Sequence, residues 1–323
     1  MSFKILDLGI AASIFLALYV LYNVSSIYIF IKKGWKSVYT FLLIYGLIRV
    51  GGQISGVGYA AAGYYEWKWL IAYLIMSAEG YFTLVLSTLY FLVKEQMIVF
   101  GKSPLMKPLV WKMSYRVLFH YSLIPANAMI IAGGCMLTGL TPGEKEYNHQ
   151  LVTSKALRSV GSIIFLLNSL SVAGLTLYNY FVKRLRTKTM IVLMFIIPFI
   201  TVRGIYGILS IFYDEMSYFK IQNYFDETSS AKLTIYEYTL ALAMEFITAF
   251  SLLSIYWLKR WTHEVDAVPK GDAENLTDKT NEVATTYSDE TSAPSAPKEH
   301  GLAYRIFSKT LIGRLVIYLK NRK

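Results

Sequence analysis

Seven long apolar runs constrain this chain more than any other feature of its sequence. Each run is continuous over about 20–26 residues, and at 1.5 Å per helical residue that length crosses a hydrocarbon core of about 30 Å. Charged residues make up only 16% of the chain, whereas soluble domains carry about 25%. A transmembrane β-barrel is excluded because its strands alternate apolar and polar residues over about ten positions. The sequence therefore predicts an all-α, multi-pass membrane protein.

The loops between the runs alternate in charge. The first, third and fifth loops and the C-terminal tail are rich in lysine and arginine, whereas the even-numbered loops are neutral or acidic. Because positively charged loops stay in the cytoplasm, the pattern predicts a seven-helix bundle with its N-terminus outside and its C-terminus cytoplasmic. The membrane domain is predicted at 1–260, with helices at about 7–31, 37–62, 68–93, 113–137, 154–182, 189–213 and 233–258.

The composition changes after the last run. Residues 261–301 cannot bury enough apolar surface to fold, which predicts a disordered cytoplasmic linker. Residues 302–323 repeat apolar side chains every three or four positions, which predicts a basic amphipathic helix on the anionic inner leaflet. Packing of this helix on the bundle or on a partner protein stays open. The basic residues expected to face the leaflet are Arg305, Lys309, Lys320 and Lys323.

The net charge of +11 has an explanation that needs no nucleic acid. The basic residues lie in short loops and in the tail, where they set the orientation in the membrane and contact anionic lipid. The predicted partners are therefore the lipid bilayer, its anionic inner-leaflet lipids and a cytoplasmic protein bound through the tail.

Four charged residues lie deep inside the apolar runs. Arg49, Glu79, Arg203 and Glu245 each stand roughly 16–22 Å from the interface at which their run begins. Because an ionisable group at this depth costs about 2.5–3.5 kcal/mol, such residues face the bundle interior and pair. The short loops favour Arg49 with Glu79 and Arg203 with Glu245, while the crossed pairing stays open. Gln53, one turn beyond Arg49, is expected to complete the hydrogen bonding.

Other polar residues lie inside the runs and form a secondary set. They are Asn23, His120, Asn127, Asn168 and Glu237. The asparagines and the histidine are interpreted as interhelical hydrogen bonds rather than ligands. For the arginine and glutamate set, structural pairing and a ligand, ion or proton site both stay open. The sequence holds no cluster with metal-ligand spacing, no nucleophile motif and no phosphate-binding loop, so neither an enzyme nor a cofactor is predicted.

Three short motifs resemble a known family. They are IIPFITVRGIYGILSIF at 196–212, LIRVGGQ at 47–53 and LAMEFITAF at 242–250. Together they are similar to a fungal family of seven-helix membrane proteins that carries a domain of unknown function. The resemblance covers the seven runs and excludes the tail. It implies a seven-helix fold and a fungal source, but no activity.

The functional prediction is a receptor-like or sensor-like seven-helix protein. Its central polar cluster would fix or respond to a small ligand. One alternative is a transporter or lipid-handling protein in which the same arginines and glutamates line a path. Another is a structural membrane scaffold in which they only hold helices together. Helices of about 25 residues favour the plasma membrane slightly over the endoplasmic reticulum.

Overall fold

A computed structural model of the chain describes residues 3–63, 66–101, 103–106, 108–110, 113–136, 145–217, 223 and 227–261. All of them lie in one compact unit, Met1–His263. Within them, seven helices are long and apolar enough to cross a membrane. The linker at 261–301, apart from its first residue, and the C-terminal helix at 302–323 lie outside the described residues, as do the four basic residues assigned to that helix.

Six of the seven spanning helices are continuous α-helices. They are α1 (Leu6–Lys33), α2 (Tyr39–Ala62), α3 (Trp67–Phe100), α4 (Tyr115–Cys135), α5 (Lys145–Phe181) and α6 (Lys188–Phe212). The seventh is composite. It consists of α7 (Glu227–Tyr236), a π-helical segment (Glu237–Ala243) and α8 (Met244–Trp261).

Small elements lie between the helices. Short 3₁₀ turns occur at Pro104–Met106 and Asp214–Met216. An antiparallel ladder joins β1 (Pro108–Val110) to β2 (Met113–Ser114) between α3 and α4. This ladder was not predicted, because its few residues carry no alternating pattern long enough to indicate a strand.

The predicted all-α class is confirmed for the described residues, whereas several helix ends differ from the prediction. Helix α3 continues to Phe100 instead of ending at Val93, and α5 begins at Lys145 instead of Ser154. Hydropathy marks the part of a helix that suits hydrocarbon, but backbone hydrogen bonding continues through the polar residues beyond it. The sequence also gave no sign of the π-helical segment.

Local sequence explains where some helices stop and start. Gly34 follows α1 with φ 73°, and Gly101 follows α3 with φ 67°. A glycine adopts these left-handed values without the steric cost of a side chain, so both residues terminate their helices. At the start of α6, the Thr187 hydroxyl accepts the backbone N–H of Met190 at 3.4 Å, as an N-cap residue does.

Helix α3 occupies the centre of the bundle. Its most apolar window is 61% buried, a larger share than in any other spanning helix of the described chain. It packs against α2, α4, α5, α6 and α8. Large apolar side chains instead point outward from α1, such as Leu21 at 67% and Ile31 at 73% exposure. An exposed apolar surface around a polar interior is the arrangement expected of a membrane protein.

Candidate functional site

A buried carboxylate shared by two arginines lies at the centre of the bundle. Glu245, in the first turn of α8, is 1% exposed. Arg49 of α2 donates from Nη2 to Glu245 Oε2, and Arg203 of α6 donates from Nε to Oε1 at 2.6 Å. Each oxygen therefore holds one guanidinium, and the three residues join three helices. We call them the Arg49–Glu245–Arg203 cluster.

The prediction that Arg49 pairs with Glu79 is wrong. Glu79 is half-buried and instead accepts a hydrogen bond from Asn127 Nδ2 of α4 at 2.7 Å. Arg49 does cross α3, but beside Gly80, the residue after Glu79. Successive helical residues point about 100° apart, so Glu79 is turned away from the arginine and toward α4. The predicted Arg203–Glu245 pair is present, and Arg49 takes the crossed pairing.

Helix α3 is shaped to receive the Arg49 side chain. A Cβ atom on Gly80 would stand 2.5 Å from Arg49 Nε and 2.7 Å from Cζ, which no packed structure allows. Arg49 also donates from Nη2 to the carbonyl of Ser77 at 3.2 Å and from Nη1 to its hydroxyl at 3.4 Å. The guanidinium, which is buried, therefore bridges α2, α3 and α8.

The second arginine lies against an aromatic wall. The Arg203 guanidinium carbon is 4.6 Å from the centre of the Tyr81 ring, within cation–π range. The Tyr81 hydroxyl is in turn 3.1 Å from Ser169 Oγ of α5. Beside Arg203 is a cavity of about 20 Å³ that Ser162 also lines. This volume has room for about one water molecule, so in this conformation the cluster is closed around its own members.

A second polar cluster includes the π-helical segment. Glu237 Oε1 accepts from the hydroxyl of Tyr73 at 2.9 Å, and the Tyr238 hydroxyl donates to Gln53 Oε1 at 3.1 Å. The sequence predicted that Gln53 completes the hydrogen bonding of Arg49. Gln53 does not bond Arg49. Its side chain reaches the π-helical segment instead. We call these four residues the Glu237–Gln53 cluster.

Two polar atoms of the Glu237–Gln53 cluster are buried without a partner. Glu237 Oε2 and Gln53 Nε2 make no hydrogen bond among the described residues, and the two side chains are 3% and 0% exposed. No lysine or arginine of the described chain pairs with Glu237. Buried polar groups are normally satisfied, so this cluster has hydrogen-bonding capacity that the protein itself does not use.

The tyrosines are the site residues that the sequence analysis missed. Tyr19 and Tyr45 bring their hydroxyls to 3.0 Å, and Tyr19 also donates to the Leu242 carbonyl of the π-helical segment at 3.5 Å. A signal for them was available. They lie in the middle of apolar runs rather than at the ends, where membrane tyrosines collect, and a buried phenol usually has a hydrogen-bond partner.

The interhelical hydrogen bonds predicted for the secondary polar residues are present for two of the asparagines and, among the described residues, absent for Asn23. Asn127 bonds Glu79, and Asn168 Nδ2 donates to Ser122 Oγ of α4 at 3.0 Å, so both make interhelical hydrogen bonds. Asn23 instead donates to the Tyr19 carbonyl of its own helix at 2.8 Å. The ring centroids of His120 and Phe82 are 6.4 Å apart. The Nδ1 atom of His120 has no hydrogen-bond partner in the described chain.

One further ion pair lies near the C-terminal ends of α3 and α8. Lys259 Nζ is 2.8 Å from Glu95 Oε2, and the Glu95 side chain is only 4% exposed. The prediction placed both residues outside the spanning helices, so this pair was not anticipated.

The described residues include no group of three or more histidine, cysteine, aspartate or glutamate side chains that could hold a metal ion. The resemblance to the fungal seven-helix family stays a prediction. No protein-family model, curated protein or solved structure matched this chain.

Proposed function

We propose that this protein is a sensor-like or receptor-like seven-helix membrane protein without enzymatic activity, and that the Arg49–Glu245–Arg203 cluster is its switch. The observation that supports the proposal is the sharing of one buried carboxylate by two arginines from two other helices. The cluster formally carries two positive charges and one negative charge. A ligand or a conformational change that supplies another acceptor for one arginine would release α2 or α6 from α8.

The π-helical segment gives this switch a means of movement. It ends at Ala243, two residues before Glu245. A π turn holds one residue more than an α turn, and such turns are frequent at functional sites. Conversion of the segment to α-helix would turn α8 by about 100° and shift it by about 1.5 Å relative to α7. Glu245 would then leave the position between the two arginines.

Two other functions each have an observation in their favour. The buried, unpartnered oxygen of Glu237 supports a transporter, in which this carboxyl binds a proton or another small ligand. The complete pairing of Glu245 supports a structural scaffold. Orientation with the N-terminus outside is supported by the loop charges, and residence in the plasma membrane by the helix lengths.

Distance measurements between spin labels distinguish the three functions. In a Cys135→Ser background, labels at Ala61 and Phe212 report the separation of α2 and α6 at one end of the bundle. Labels at Lys36 and Arg186 report it at the other end. All four positions are exposed in the structure. The measurements compare the unmodified cluster with Glu245→Gln, and Arg203→Lys serves as a milder variant that keeps the charge.

A switch predicts a second population of distances at one end in a folded variant. A scaffold predicts unchanged distances together with lower stability. A transporter predicts proton or ion flux in proteoliposomes that Glu237→Gln abolishes while the distances stay the same. Unchanged distances in both Glu245→Gln and Arg203→Lys would contradict the sensor-like function.

A further inference from the structure

A cavity beside the described residues lies where α3 and α5 end. Its volume is about 150 Å³, and Phe100, Leu105 and Leu175 form apolar parts of its wall. Leu105 belongs to the 3₁₀ turn that follows α3. These apolar side chains favour contact with an apolar group over contact with water. The cavity is partly open, and its lining includes Tyr178, which is 48% exposed.

A polar side chain lies on the same wall. Gln96 is 2% exposed, and its Oε1 accepts from Ser103 Oγ at 2.6 Å. Gln96 also lines the cavity, and its amide nitrogen is a hydrogen-bond donor. A ligand in the cavity would therefore gain one hydrogen bond if it carried an acceptor such as an ester carbonyl.

A positive charge stands at the rim. Lys183 lines the cavity and comes two residues after the last residue of α5, where the chain leaves the apolar run. The chain then turns sharply, with Arg184 at φ 53° and the Leu185 N–H bonded to the Asn179 carbonyl at 3.0 Å. Lys183 therefore follows a helix of membrane-spanning length, at the place where phospholipid phosphates are expected. Leu175 stands two helical turns deeper, at acyl-chain depth.

We infer that this cavity is a binding site for one anionic phospholipid of the bilayer. Its phosphate lies by Lys183, an ester carbonyl accepts from the Gln96 amide, and the beginning of an acyl chain fills the space against Leu175. The order of these three groups along the membrane normal is the order in which they occur in a phospholipid. The inference is independent of the proposed switch, because no residue of either central cluster lines this cavity.

Native mass spectrometry of the full chain tests the inference. The protein is reconstituted in bilayers of phosphatidylcholine and phosphatidylserine, extracted in mild detergent and weighed with its retained lipid. Leu175→Trp fills the cavity, and Leu105→Phe is a smaller change that serves if the tryptophan variant does not fold. Val182→Trp is the matched control, because Val182 is 63% exposed and does not line the cavity.

The expected result is one retained phosphatidylserine on the unmodified protein and on Val182→Trp, and none on Leu175→Trp or Leu105→Phe. Lys183→Gln is expected to lower the preference for phosphatidylserine over phosphatidylcholine about fivefold, the effect of one charge near an anionic surface. Lys36→Gln, an exposed lysine of the first loop, should not change it. The inference would be overturned if the filled variants retained as much phosphatidylserine as the unmodified protein. It would also be overturned if the unmodified protein retained no lipid, or retained a free fatty acid instead.

Discussion

The guanidinium of Arg49 lies against the backbone of α3 at Gly80, so close that no Cβ atom could be placed between them. This contact lets a buried arginine of α2 pass α3 and reach Glu245 of α8, a residue 196 positions away in the sequence. The glycine is therefore as necessary to the central cluster as the charges. It also explains why the arginine bypasses the carboxylate of Glu79, which is nearer in the sequence.

Substitution of Gly80 by alanine should destabilise the protein because the new methyl group overlaps Nε and Cζ of Arg49. Overpacking of this kind costs about 1–3 kcal/mol. Gly174→Ala is the matched control, since a Cβ atom there meets nothing within 4 Å. It should be neutral or stabilising. The free energy of unfolding, measured by SDS titration in mixed micelles, checks both, and equal values for the two variants would contradict the contact.

Glu245 and Glu79 should differ sharply in their effect on stability when each is neutralised. Glu245→Gln leaves two buried arginines without their counter-ion, which costs about 3–5 kcal/mol for a broken buried pair. Glu79→Gln keeps a hydrogen bond from Asn127 and loses only its ionic character, a loss of about 1 kcal/mol. Both values come from the same SDS titration. A larger loss for Glu79→Gln would restore the pairing that the sequence favoured and the structure lacks.

Removal of the Tyr238 hydroxyl should lower the stability of the protein, because the side-chain amide of Gln53 then lacks its donor. In Tyr238→Phe, Gln53 loses the donor to its Oε1 while its Nε2 already lacks a partner. A buried amide left without hydrogen bonds costs about 1–3 kcal/mol. Tyr213→Phe is the control, because that side chain is 61% exposed. Thermal unfolding followed by circular dichroism should show a lower midpoint for Tyr238→Phe alone.

The sequence was sufficient for the helices and for the depth of the buried charges. Apolar runs of membrane-crossing length leave few alternatives to helices, because every backbone group in hydrocarbon must be bonded within its own segment. The partners of the charges could not be predicted in the same way. A helix turns about 100° per residue, so a small error in its rotation exchanges one neighbour for another. Glu79 and Gly80 differ by one such step, and that step decides where Arg49 binds.

The orientation predicted from the loop charges can be tested with single cysteines. In the Cys135→Ser background, Lys36→Cys is expected to be on the cytoplasmic side and Ala61→Cys on the outer side. Both positions are exposed. A membrane-impermeant maleimide added to intact cells should label only Ala61→Cys, and inverted vesicles should show the opposite. Labelling of Lys36→Cys from outside would reverse the orientation.

Deletion of Thr239 tests the link between the π-helical segment and the central cluster. Thr239 is exposed and bonds only the Ile235 carbonyl of its own helix at 2.6 Å. Its removal takes out the extra residue of the π turn, so the segment should become α-helical while Glu245 keeps its position between the arginines. Thr239→Ala, which keeps the length, should leave the stability nearly unchanged.

The decisive measurement is a double-mutant cycle. If the deletion leaves Glu245 between Arg49 and Arg203, adding Glu245→Gln to the deletion should cost as much as it costs in the unmodified protein, where a broken pair is worth about 3–5 kcal/mol. A much smaller cost would show that the deletion has moved the carboxylate away from the arginines. In that case the π-helical segment would not hold one extra residue, and its conversion to α-helix could not turn α8 as the proposed switch requires.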